Sequence, residues 1–211
     1  SLERFWDVNT GSLLHQITYA SQPIYAFLDD CSAYGLFLVQ LYNETGEEIY
    51  LVRLKQIMTS IYRNHLQKHG LFSFQSNLNE VLIAQKYEIT DSVMPASNSM
   101  LCELLLWSGV LLNDPQHTIN AKSMLAAVLE QAAANPLYHA NWLRIYSEWF
   151  ENPLAVVKYN VNKFCKRDLP EIQVNWVPIK DQSYMFMVCI GDTCLAPCEN
   201  VNQLMEQYDS I

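Results

Sequence analysis

From Pro23 onward apolar residues recur at helical spacing: Ile24, Phe27, Leu28, Cys31, Tyr34, Leu38, Leu41 and Tyr42. The spacing predicts a helix that stops at Thr45-Gly46, where glycine supplies the left-handed conformation favoured at a helix end. Glu47 and Glu48 then open a second helix near its positive pole. That helix carries Leu51, Leu54, Met58, Ile61 and His65 on one stripe and is expected to end at Lys68-His69-Gly70. Two amphipathic helices with a short connection make an antiparallel hairpin. Residues 1–22 show no period.

Between 70 and 96 the pattern changes. Leu71, Phe72 and Phe74 alternate, as do Val81 and Ile83, which predicts short strands or an extended loop. A third helix runs through Leu101, Leu104, Leu105, Ser108, Leu111 and Leu112. Asp114-Pro115 reads as a cap followed by proline at the first helical position, opening a fourth helix with Met124, Leu125, Val128, Leu129 and Ala132. Asn135-Pro136 repeats the signal before a fifth, with Tyr138, Trp142, Ile145, Tyr146 and Trp149. After Asn152-Pro153 the chain reads as strands at Leu154–Val157, Ile172–Val177 and Tyr184–Ile190, then a helix from Val201 to Tyr208. The expected organisation is helical hairpins over 1–151 and a small α/β tail over 152–211.

Composition narrows the classes. The 211 residues are 50% hydrophobic and 17% charged, which excludes general disorder. A formal charge of −9 disfavours binding to phosphate backbones or acidic membranes. The stretch Gly11–Leu28, free of Asp, Glu, Lys and Arg, is too polar to span a bilayer, and no signal peptide is expected at the start. Six scattered or loosely clustered cysteines do not make a disulfide scaffold, so a cytoplasmic protein with reduced thiols is expected. Cys189, Cys194 and Cys198 lack the CxxC spacing of a redox pair. Cys189 is expected in the core of the tail, and Cys194, after a Gly-Asp turn, is a candidate for an exposed, reactive thiol. No zinc, P-loop, dinucleotide or nucleophile-elbow motif occurs, and the five histidines fall in no common motif, so no metal or cofactor is expected.

Several segments, in order, resemble the YyaL family, the spermatogenesis-associated, thioredoxin-domain-containing proteins. Ala26-Phe27-Leu28-Asp29-Asp30-Cys31-Ser32 resembles its FLEDYA segment, and Leu41–Gly46 its LYEATGD helix end. Asp91–Ser99 resembles DGAxPSGNS, and Val188–Pro197 resembles VCRGFTCLPP. Departures are Cys31-Ser32 for Tyr-Ala and Ala96-Ser97 for Ser-Gly. The resemblance implies the C-terminal part of a longer protein: helical hairpins of an α/α toroid like that of six-hairpin glycosidases and N-acylglucosamine 2-epimerase, with a thioredoxin-like domain upstream in the same protein. It implies a sugar ligand and acid–base chemistry on it; the net charge already leads to the expectation of no nucleic-acid or membrane partner.

On that reading Asp30 and Asp91 are the catalytic carboxylates at the toroid mouth, and Asn98, Ser99 and Tyr34 contact the substrate. The same residue types have structural readings. Asp30 satisfies a neighbouring backbone N–H, Ser97 or Asn98 caps the third helix, and aromatic stripes at helical spacing form core. A second function class also stands: a non-catalytic helical platform for the thioredoxin-like domain. A reactive Cys194 would add thiol redox chemistry.

Overall fold

The computed structural model describes residues 2–17, 23–80, 84–151, 153, 155–180, 183–191 and 193–211. Within them the chain is mainly helical, with a small sheet near the C-terminus. The helices are α1 (Leu28–Thr45), α2 (Glu48–Asn64), α3 (Ser97–Leu112), α4 (Pro115–Ala134), α5 (Ala140–Tyr146) and α6 (Val201–Asp209). The strands are β1 (Trp6–Asp7), β2 (Ser12–Leu13), β3 (Gln67–Lys68), β4 (Leu71–Phe72), β5 (Val156–Asn160), β6 (Asn175–Ile179), β7 (Phe186–Ile190) and β8 (Thr193–Cys194). Two compact units result: Ser1–Val39 with Ile49–Arg144, and Gln40–Glu48 with Ile145–Ile211. Among the described residues no helix is long and apolar enough to cross a membrane.

Several of the signals for helix ends act as expected. Gly46 sits at φ 67° and donates its N–H to the Tyr42 carbonyl, closing α1. The Asp114 carboxylate accepts the Gln116 N–H at 3.0 Å, and Pro115 follows at the first position of α4. The end of α2 is a correction. The helix stops at Asn64, and Lys68-His69-Gly70 belongs to the β3–β4 hairpin instead. His69 and Gly70 both have positive φ (51° and 83°), the conformation a two-residue hairpin turn requires. The Val81–Ile83 alternation lies outside the described residues.

Leu54, Ile57, Leu101, Leu104, Leu105, Ala121 and Met124 are wholly buried. Helix α1 approaches α3 closely at Gly35, where an added Cβ would lie 2.4 Å from a Leu104 methyl. Only hydrogen fits there.

The second unit is built on a four-stranded sheet in the order β6-β5-β7-β8. β5 runs parallel to β6 and antiparallel to β7, and β7–β8 is a hairpin. Its core holds Val157, Tyr159, Phe186, Val188, Cys198 and Leu204, the last from α6. The Asn200 side chain caps α6 by accepting the Gln203 N–H. Within this unit Tyr42 donates its hydroxyl to the Pro178 carbonyl at 2.9 Å, and Lys166 pairs with Glu44 at 2.6 Å.

The expectation of reduced thiols is overturned at one place. Cys189 and Cys194 face each other across the β7–β8 hairpin and are disulfide-bonded. Strand pairing brings them together, a proximity the CxxC rule does not detect. Cys31, Cys102, Cys165 and Cys198 are free.

Gly35→Ala should destabilise the chain by about 1 kcal/mol net, as overpacking against Leu104 outweighs alanine's helix propensity. Urea denaturation measures this, and combining it with Leu104→Ala should give a smaller loss than the sum of the two.

Candidate functional site

The first turn of α1 concentrates charge. Its backbone N–H groups need acceptors, and the segment Phe72–Phe74 and two aspartates supply them. Leu28 donates its N–H to the Phe74 carbonyl at 2.9 Å, Phe27 donates to Asp30 Oδ2 at 3.0 Å, and Asp30 donates to Asp29 Oδ1 at 2.9 Å. Both carboxylates sit where the helix dipole favours negative charge.

Asp30 has a second partner. His15, from the strand-like segment after β2, donates its Nδ1–H to Asp30 Oδ2 at 2.6 Å. Held this way, the imidazole keeps Nδ1 on the carboxylate and turns Nε2 away from it, the orientation a carboxylate–histidine pair imposes. The pair is partly open: the side chains are 41% and 30% exposed. His15 lies edge-on to Phe27, with ring centroids 4.9 Å apart, and Phe27 stacks on Phe74 at 5.1 Å. Lys86 Nζ sits 5.4 Å from the Phe74 ring centroid.

Asp29, beside Asp30, is half-buried. Burial raises its pKa above the ordinary aspartate value, and the charges of Asp30 and Glu88 push it the same way. Glu88 shifts oppositely. Burial alone would raise it, but the Lys86 ammonium at 2.7 Å and the Ser97 N–H outweigh that and hold it below the usual range. The cluster thus contains a carboxyl raised above the ordinary aspartate range, a carboxylate held below the ordinary glutamate range and an imidazole. Among the described residues, no three His, Cys, Asp or Glu side chains are placed to hold a metal ion.

The residues singled out in the sequence have distinct surroundings. Asp30 is in the cluster, and Tyr34, half-buried, lies one turn further along the same face of α1. Asp91 accepts the Ala96 N–H at 2.8 Å and the Asn141 N–H at 2.9 Å. It joins the loop before α3 to the start of α5. Asn141 also donates its side-chain amide to the Ser99 hydroxyl at 2.9 Å, so Asp91 and Ser99 share one partner. Asp30 and Asp91 hydrogen-bond to different groups.

Ser99 and Asn98 are wholly buried. The expected caps are corrected: Ala96 is the N-cap of α3, with no side-chain bond. Asn98 instead accepts the Phe72 N–H at 2.8 Å and donates to the Phe72 and Glu88 carbonyls at 2.9 and 3.0 Å. Its amide replaces a β-strand partner and holds both edges of the cluster.

His15 and Glu88 were missed in the sequence. His15 is fifteen positions before Asp30, and no local spacing relates them. Lys86 and Glu88 gave a weak signal, since residues two apart in an extended segment share a face.

Comparison with protein-family models and with curated proteins finds no match to the chain.

Asn98→Ala should cost about 2–4 kcal/mol, because it strands the buried backbone groups of Phe72, and Asn98→Asp should be nearly as damaging. Chemical denaturation measures both. Asp29 carries a raised pKa, so the folded chain binds more protons than the unfolded chain just above the ordinary aspartate range. Stability therefore falls as pH rises through that window. Asp29→Asn removes this cost: relative to the parent it should be more stable at neutral pH, and acidification below the ordinary aspartate range should abolish the difference.

Proposed function

We propose that the chain handles a carbohydrate, as an arc of helical hairpins of an α/α toroid, and that the α1 cluster is where the sugar is engaged. The observation that carries this reading is the His15–Asp30 pair at 2.6 Å beside Asp29, whose pKa burial raises above the ordinary aspartate value. An imidazole oriented by a carboxylate, with a second carboxyl beside it, is a constellation suited to proton transfer at a sugar carbon or a glycosidic oxygen.

His15 Nε2 takes the proton and Asp30 steadies the resulting imidazolium. Asp29 gives a proton to the oxygen that gains charge. Glu88 accepts sugar hydroxyls, and the Phe27–Phe74 stack and Tyr34 offer ring surface to the sugar's C–H face. Asp91, Asn98 and Ser99 support this by holding the segments that carry the cluster. The order of family-like segments from Ala26 to Pro197 agrees with the same reading.

Calorimetric titration of the chain with neutral mono- and disaccharides tests it. At least one sugar should bind, and His15→Ala or Asp29→Asn should weaken binding or abolish turnover while leaving the circular-dichroism spectrum unchanged. Absence of heat with every sugar, or identical heats for the variants, would reject the proposal.

A further inference from the structure

Away from the α1 cluster, a hollow of about 880 Å³ lies between the β1–β2 hairpin and the outward side of α2. Trp6, Val8 and Gly11 form one wall, and Val52, Arg53, Lys55, Gln56, Thr59 and Arg63 form the other. It continues into a second hollow of about 720 Å³ that shares Lys55, Thr59 and Arg63.

The charge of the first hollow runs against the chain. The sequence has 13 basic and 22 acidic residues, yet this lining contains three cations and no carboxylate. The two arginines have neighbours that hold them, and Lys55 is exposed. Arg63 Nη2 donates to the carbonyls of Thr10 and Gly11 and to the Ser12 hydroxyl, and its Nε donates to the Asn64 side chain. All four acceptors are neutral, so the guanidinium keeps its charge, and its Nη1 has no hydrogen bond among the described residues. Arg53 lies 5.9 Å from the Trp6 ring centroid and donates to Gln56. Lys55 Nζ meets no acceptor among the described residues. Trp6 and Val52 add apolar surface beside the charges.

We infer that this hollow binds an organic phosphate. The phosphoryl oxygens are met by Lys55 and the outer edge of Arg63, and the organic portion lies against Trp6 and Val52. An ammonium and a guanidinium edge in one lining suit a phosphoryl group, whose terminal oxygens can meet both. The volume is that of a small-molecule site. Arg63 is fixed before the ligand arrives, so little ordering opposes binding. The inference is independent of the sugar reading, since it shares no residue with the α1 cluster.

The test is a backbone-amide NMR titration with phenyl phosphate, inorganic phosphate and phenol in parallel. Phenyl phosphate should shift the signals of Gly11, Gln56 and Thr59 and bind more tightly than inorganic phosphate, while phenol should leave them in place. Lys55→Glu, an exposed change that should leave the melting temperature unaltered, should weaken phenyl phosphate binding about tenfold or more, and raising the salt should do the same to the parent. Lys55→Arg should retain binding. Shifts that are absent, equally strong in Lys55→Glu, or no tighter for phenyl phosphate than for inorganic phosphate would overturn the assignment. So would tighter binding of a decaglutamate peptide to the same residues, which would mark a docking surface for acidic chains.

Discussion

The backbone of Phe72–Phe74 is the tie on which the first unit depends. Each of its backbone polar groups is used, and the partners come from several elements. Phe72 is paired on both sides by the Asn98 side chain of α3. Ser73 donates to Leu66 and accepts from the His65 ring at the end of α2. Phe74 donates to Lys86 and accepts the Leu28 N–H that opens α1. A buried backbone group without a partner costs more than a bond gains, so this segment admits few alternatives. Three helices and the segment before α3 are thereby tied to one short stretch of chain.

The chemistry at α1 follows from that tie. Phe74 brings Lys86 and Glu88 to the helix start because it pairs with Lys86 through its own N–H. The helix dipole stabilises negative charge at Asp29 and Asp30, while burial and mutual repulsion oppose it. Asp30 is answered by an imidazole and a backbone N–H, while burial raises the pKa of Asp29. Adjacent residues of the same type thus acquire different roles from their surroundings. Asp91 contributes at a distance: its two oxygens seat the loop before α3 on the start of α5, which keeps Asn98 and Glu88 in register.

The second unit is organised by a different rule. A central strand, β5, is covered on both faces, and its neighbours set the direction of everything else in the sheet. The β7–β8 hairpin places Cys189 and Cys194 opposite each other, and the bond spans a separation of only five residues. So short a loop restricts the unfolded chain little, and burial of Tyr159, Phe186 and Val188 carries the unit's stability.

Local rules explain what was legible without coordinates. The stop at Gly46, the Asp114-Pro115 start and the stripes of α1 to α4 depend on neighbours within a few positions, and those neighbours are written side by side in the chain. The extended character of Leu71–Phe74 and the small C-terminal sheet were legible for the same reason. At Lys68-His69-Gly70 a helix end and a hairpin turn call for the same residues, so only the pairing of β3 with β4 decided between them. Asn98 looked like a cap because asparagine before a helix usually is one, and it became a clamp because Phe72 arrived beside it. Asp30 was legible as a carboxylate of interest. Its histidine, the proton affinity of Asp29, the Cys189–Cys194 bond and the cationic hollow were not, because each arises from residues far apart in the chain that only the packed structure makes neighbours.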